Sequence, residues 1–121
     1  MALELDVSRT GDTAVVRCSG RIVFGEETDE LRWVILNLLN ERQRIVMNLA
    51  WIEYIDSSGL GTLVASFISA RYRGVEIKFA ALSPRAQHVL VSTHVDRLFD
   101  VYDSSEEAIK SFRPHPEAAA G

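Results

Sequence analysis

The residues best placed to do chemistry are Asp56-Ser57-Ser58, within Tyr54-Ile55-Asp56-Ser57-Ser58-Gly59-Leu60-Gly61-Thr62-Leu63, where an apolar strand pattern gives way to a helical one. Asp56 has the chemistry of a helix N-cap. Its carboxylate can accept from the backbone N–H groups two and three residues on, which no earlier carbonyl satisfies. Ser57 and Ser58 then fall in the first helical turn. A phosphate added there meets free backbone donors and the positive end of the helix dipole, so the helix can carry the modification without melting. The chemistry suggested is a change of charge on a hydroxyl at an intact helix start. A plain capped helix uses the same residue types, because Asp and Ser are favoured at any N-terminus.

Other reactive groups form no constellation. His88, His94 and His115 show neither H-E-x-x-H nor another paired metal spacing, and Ser57 has Ile55 and Gly59 two residues away rather than the glycines of a nucleophile elbow. Gly59 and Gly61 form only a G-x-G, with no G-x-x-x-x-G-K-[ST] anywhere. Their expected task is to keep the helix entrance narrow for a partner or a packed neighbour. Cys18, the single cysteine, lies in the alternating run Val15-Val16-Arg17-Cys18 and reads as a small buried thiol. No catalytic residue, cofactor or metal site is expected.

The elements that must position the cluster are legible in the periodicity. Leu3, Leu5 and Val7 alternate with polar residues, Thr10-Gly11-Asp12 offers a turn, and Ala14 to Ser19 resumes an extended pattern, so an N-terminal hairpin is expected. After a short extended piece from Arg21 to Val23, Leu31, Val34, Ile35, Leu38 and Leu39 mark the buried stripe of a first helix. Trp33 lies about 200° from Leu31 on that helix, nearly opposite the stripe, which predicts an exposed indole suited to anchoring a partner or to covering a neighbouring loop. Ile45-Val46-Met47 with Leu49 reads as a central strand covered on both faces.

The second helix, opened by Asp56, carries Leu60, Leu63, Val64, Phe67 and Ile68 as its stripe and ends near Arg71-Tyr72-Arg73-Gly74. Val75, Ile77 and Phe79 alternate as another strand, with Glu76 and Lys78 on the other side. Ser83-Pro84 caps a third helix running to about Thr93, Leu98 to Tyr102 reads as a last short strand, and Ser104 with Glu107 forms a capping box for a terminal helix containing Ala108, Ile109 and Phe112. Residues 113–121, with two prolines and no amphipathic pattern, read as a disordered C-terminal tail. This order implies an α/β fold: a mixed sheet of four to five strands with an N-terminal hairpin and about four helices packed on it. Asp56 would stand at the carboxyl end of a strand, the edge where α/β ligand sites commonly form.

With 121 residues, of which 47% are hydrophobic and 25% charged, the chain suits one ordinary domain. A net charge of −4 with scattered basic residues argues against direct nucleic-acid binding. No apolar run approaches the roughly 18 residues that span a bilayer. The start has neither a basic nor an apolar leader pattern, so a cytoplasmic protein without a membrane role is expected.

Together, Asn48-Leu49, Ile55-Asp56-Ser57-Ser58-Gly59-Leu60-Gly61, Ser83-Pro84 and Arg97-Leu98-Phe99 resemble a STAS domain of the anti-sigma factor antagonist type. The resemblance covers the chain from about Leu3 to Phe112, and implies a STAS domain over residues 1–112. In such proteins the serine directly after the aspartate is phosphorylated by an ATP-using anti-sigma kinase. The unphosphorylated form binds that kinase, so that a sigma factor is released to act in transcription. By position, the resemblance implies Ser57 as phosphoacceptor, with Ser58 a second candidate, and a partner surface of Asp56, Ser57, Ser58, Gly59, Gly61 and Thr62, to which the exposed Trp33 is added. The implied partner is an anti-sigma factor or serine kinase, bound by a monomer or weak homodimer. Family members commonly carry an acid near the end of the strand after Gly20, where this chain has Val23, a departure that lowers the charge of the rim. The same fold also serves as a scaffold or adaptor in signalling and lipid-transport assemblies, the alternative role. A nucleotide-binding enzyme is disfavoured by the missing phosphate-loop lysine.

Overall fold

The computed structural model describes residues 3–113. The hairpin forms as expected: β1 (Leu3–Thr10) runs antiparallel to β2 (Thr13–Ile22), turning through Gly11 at φ 60°, a conformation that favours glycine. Next come α1 (Glu26–Asn40), β3 (Arg44–Ile55), α2 (Ser57–Tyr72), β4 (Ile77–Ala80), α3 (Pro84–Ser92), β5 (Val101–Tyr102) and α4 (Ser105–Lys110). The five strands form one sheet in the order β1-β2-β3-β4-β5, with every pairing after the first parallel. The mixed α/β sheet with four α-helices matches the expected architecture. The expected tail beyond Arg113 lies outside the described residues.

The main core lies on one face of the sheet, where Val16, Cys18, Ile22, Ile45, Met47, Leu49, Ile52 and Ile55 meet Leu31, Ile35, Leu38 and Leu39 of α1, Leu63 and Phe67 of α2 and Leu90 of α3. Phe99 stacks on Phe79 at 4.0 Å between ring centroids and tilts against Phe67 at 5.2 Å, joining the strands to α2. Cys18 is buried here, and desolvation pushes its thiol up to about 12, so it is inert at neutral pH. Among the described residues, the opposite face has a small cluster, in which Val15, Val46 and Ala80 are covered by Ala108 of α4.

Four local expectations are corrected by this layering. Lys78, placed by alternation on an exposed side of β4, is only 5% exposed, because α4 covers that side. Its ammonium donates to the hydroxyls of Ser111 (2.6 Å) and Tyr102 (3.4 Å) and lies 4.7 Å from the centre of the Phe112 ring, which supplies the compensation a buried cation needs. Residues Leu98 to Tyr102 do not form one strand: Val95–Arg97 make a 3-10 turn entered through His94 at φ 64°, leaving Val101 and Tyr102 to pair with β4. In α4, Ile109 is exposed and Phe112 lies past the helix end, so Ala108 alone is buried. On α2, Ile68 is 44% exposed while Gly59, Thr62, Ser66 and Ala70 are buried with Leu63 and Phe67. The other four residues of the expected stripe, Leu60, Leu63, Val64 and Phe67, lie in or against the core, and the small residues between them bring this helix close to its neighbours.

Candidate functional site

β3 ends at Ile55 and α2 begins at Ser57, leaving Asp56 as the N-cap in extended geometry. One carboxylate oxygen, Oδ1, accepts from the Gly59 N–H at 2.7 Å, three residues on, as an N-cap should. The other, Oδ2, accepts from the N–H of Phe24 at 3.0 Å, in the loop between β2 and α1. The Asp56 N–H in turn donates to the carbonyl of Ile22 at 3.2 Å. One side chain thus ties the end of β2, the loop after it and the start of α2 together. Partial desolvation raises the Asp56 carboxyl, but the backbone N–H groups of Phe24, Gly59, Ser58 and Asp56 itself outweigh it and hold it below the ordinary carboxylate value.

Ser57, at the first position of α2, is exposed, and among the described residues no hydrogen bond engages its hydroxyl. Ser58 is half-buried, and its carbonyl accepts from the Thr62 hydroxyl at 2.9 Å. Gly59 is buried because it must be: a Cβ built there would stand 2.0 Å from the carbonyl oxygen of Ile22. Gly61 is exposed, with no atom within 4 Å of such a Cβ. The two glycines therefore differ, the first serving a packed neighbour and the second leaving open space. Thr62 is 4% exposed and accepts from Arg32 of α1 at 3.4 Å. Ser57, Ser58 and Gly61 hold the surface of the cluster, while Gly59 and Thr62 shape it from beneath.

Trp33 is exposed, as its angular position predicts, at 68%. It stands on the outer side of α1, and among the described residues no hydrogen bond or ring contact joins its indole to the α2 start; its carbonyl accepts from Asn37 of the same helix. Val23 is half-buried, and Phe24 beside it is 78% exposed. The contribution of Phe24, through its backbone to Asp56 and through an exposed ring at the rim, has no signal in the sequence beyond an aromatic residue next to Gly25. Among the described residues, no group of three or more His, Cys, Asp or Glu gathers as a metal site. No helix among them is long and apolar enough to cross a membrane.

A mixed sheet with a capped helix start at the carboxyl end of its central strand, and helices α1 to α3 on one face, defines the class of protein. The chain belongs to the STAS domain family, whose model matches residues 4–108. It is 23% identical over 111 residues to the anti-sigma F factor antagonist of Paenibacillus polymyxa, covering 90% of this chain and 94% of that one. Among solved structures it is similar to protein TM1081 of Thermotoga maritima, with a TM-score of 0.82 and 22% identity over 91% of this chain and 95% of the other. It is also similar to the Bacillus cell fate determinant SpoIIAA in its phosphorylated form, with a TM-score of 0.71 and 19% identity over 91% of this chain and 100% of that one. The unphosphorylated form of SpoIIAA gives a TM-score of 0.75 at 18% identity, over 88% and 93%.

Proposed function

We propose that this chain is an anti-sigma factor antagonist whose binding to an anti-sigma factor kinase is switched off by phosphorylation of Ser57. The observation that carries the reading is an exposed hydroxyl with no partner among the described residues, at the first position of α2, beside a cap whose two carboxylate oxygens are both already engaged. The kinase would transfer the terminal phosphoryl group of ATP to Ser57 Oγ while a base of the kinase takes the hydroxyl proton, so no catalytic group is required of this chain. The family membership and the relative named as an anti-sigma F factor antagonist support the partner class. That a protein of this fold has been solved both with and without phosphate supports a switch that leaves the fold intact.

The physical effect is local. A phosphate adds about −1.5 to −2 charges at neutral pH, next to a carboxylate held ionised by four backbone donors. The N–H groups at the helix start and the helix dipole keep the modified helix folded. A partner surface fitted to a neutral hydroxyl then faces a strongly hydrated dianion, whose uncompensated burial costs several kcal/mol, or orders of magnitude in affinity. Asp56 adjoins the phosphate in sequence, Val23 adds no charge to the loop after β2, and Glu26 and Glu27 stand beyond it in the first turn of α1.

The test is incubation with purified anti-sigma kinases and ATP, read by site-resolved mass spectrometry and binding titration. Phosphate on Ser57, retained binding in Ser57→Ala and lost binding in Ser57→Asp are the expected results. An unmodified Ser57 together with kinase binding unaffected by Ser57→Asp would instead assign the chain to a scaffold role. Phosphate found on Ser58 alone would move the switch by one residue.

A further inference from the structure

The strand that delivers Asp56 also carries two aromatic residues that leave the core through irregularities in its pairing. From Arg17↔Asn48 to Ser19↔Trp51, β3 uses one more residue than β2, and from Gly20↔Ile52 to Arg21↔Tyr54 it does so again. Strict alternation from Leu49 would bury Trp51 and expose Ile52. The first bulge reverses this, so Ile52 is 2% exposed and Trp51 is 71% exposed on the opposite face. The second places Tyr54 on that face as well, at 42%. Among the described residues, this face is covered by α4 at Val15 and Val46 and left bare at Trp51 and Tyr54. Bulges concentrate where a side chain must be re-aimed, commonly next to functional sites.

We propose that this bare end of the sheet, centred on Trp51, is a second part of the partner-binding surface, contacted by the same protein that reads Ser57. Two observations identify that occupant. The first is continuity: Tyr54 is two residues ahead of Asp56 on the same strand, and the exposed Phe24 is bonded through its N–H to the Asp56 carboxylate. The second is charge. Arg21 lies over the Tyr54 ring at 5.2 Å, and no carboxylate among the described residues pairs with it. A stacked, unpaired guanidinium beside an exposed indole fits a partner that brings a carboxylate to Arg21 and an apolar side chain to Trp51. The partner thereby meets two patches, the switchable serine and a constant aromatic-cationic anchor. The anchor rests on the reading of the Ser57 edge as a binding site.

The test titrates each purified anti-sigma kinase of the source organism against wild-type protein, Trp51→Ala, Arg21→Glu, Trp33→Ala and Ser57→Asp, with melting temperature and sedimentation measured for each. The expected result is a loss of affinity of about tenfold or more in both Trp51→Ala and Arg21→Glu, with unchanged melting temperature. Wild-type affinity in those two variants, with binding still abolished in Ser57→Asp, overturns the anchor and leaves the serine switch standing. Weakened binding in both, with Ser57→Asp binding normally, sinks the switch and overturns the two-patch surface, leaving Trp51 and Arg21 in an interface without the serine. Loss confined to Trp33→Ala transfers the anchor to α1 and overturns the proposal. A fall in self-association in Trp51→Ala at unchanged kinase affinity makes the face a contact between copies, which also overturns it. If no kinase binds the wild-type chain, both readings fall.

Discussion

Asp56 resembles the acidic neighbour of a phosphoacceptor, yet its oxygens face the backbone of Gly59 and Phe24 rather than the serine hydroxyl. Its direct effect on Ser57 is therefore electrostatic and positional. The two glycines that follow show how equal residues acquire opposite roles. Gly59→Ala would force a methyl onto the Ile22 carbonyl and is expected to destabilise the protein by about 1–3 kcal/mol, as overpacking typically does. Gly61→Ala meets nothing and replaces a poor helix former, so a gain of about 0.5–1 kcal/mol is expected. Urea denaturation of both variants checks the pair, and destabilisation by Gly61→Ala would refute the open space assigned to it. The serine and aspartate were legible in the sequence, since capping chemistry is local. The difference between the glycines was not, because it is set by the end of β2, more than thirty residues away.

At the scale of elements, the cap acts as a joint between α2 and the β2–α1 loop. The Asp56 carboxyl is held below its ordinary value of 3.8 in the folded protein, so ionised Asp56 stabilises the fold above that value. That stability is lost as pH falls through the lowered folded value. Asp56→Asn keeps one neutral acceptor, for Gly59, but turns its amide donor toward the Phe24 N–H, at a cost on the order of 1 kcal/mol at neutral pH. Thermal melts of both proteins between neutral pH and about pH 2 should show a gap that stays constant down to the ordinary carboxylate value and closes below it. A gap independent of pH would contradict the lowered carboxyl. The helices α1, α2 and α3 announced themselves through periodicity and caps, and the Ser83 hydroxyl indeed accepts from Ala86 while donating to Ile52. The outward face of β3 did not. Periodicity assumes an unbroken two-residue repeat, and two bulges break it between Asn48 and Tyr54.

In the molecule as a whole, the two sheet faces are unequally covered. Three helices build a deep core on one face, whereas α4 holds the other with one buried alanine, a hydrogen bond from Asn48 to Ser105 at 2.8 Å and the contacts of Lys78 and Phe112. Little apolar area resists the opening of α4. Native-state hydrogen exchange should therefore show its amides exchanging through local opening, at a free energy well below that protecting Ile45 to Leu49 in β3. Equal protection of both would show that α4 belongs to the main cooperative unit. The burial of Lys78 belongs to the same scale: alternation leaves it outside, and only the docking of α4 against β4 encloses it.

The order of elements, the capped helix start and the candidate serine were determined by the sequence itself, because periodicity, capping and turn chemistry act over a few residues and leave their pattern in the chain. Tertiary structure alone decided that Gly59 lies against Ile22, that Asp56 grips Phe24, and that Trp51 leaves the core for the bare end of the sheet. Each depends on strand register and on contact between distant segments, and a one-residue bulge reverses the facing of a side chain without altering the composition around it.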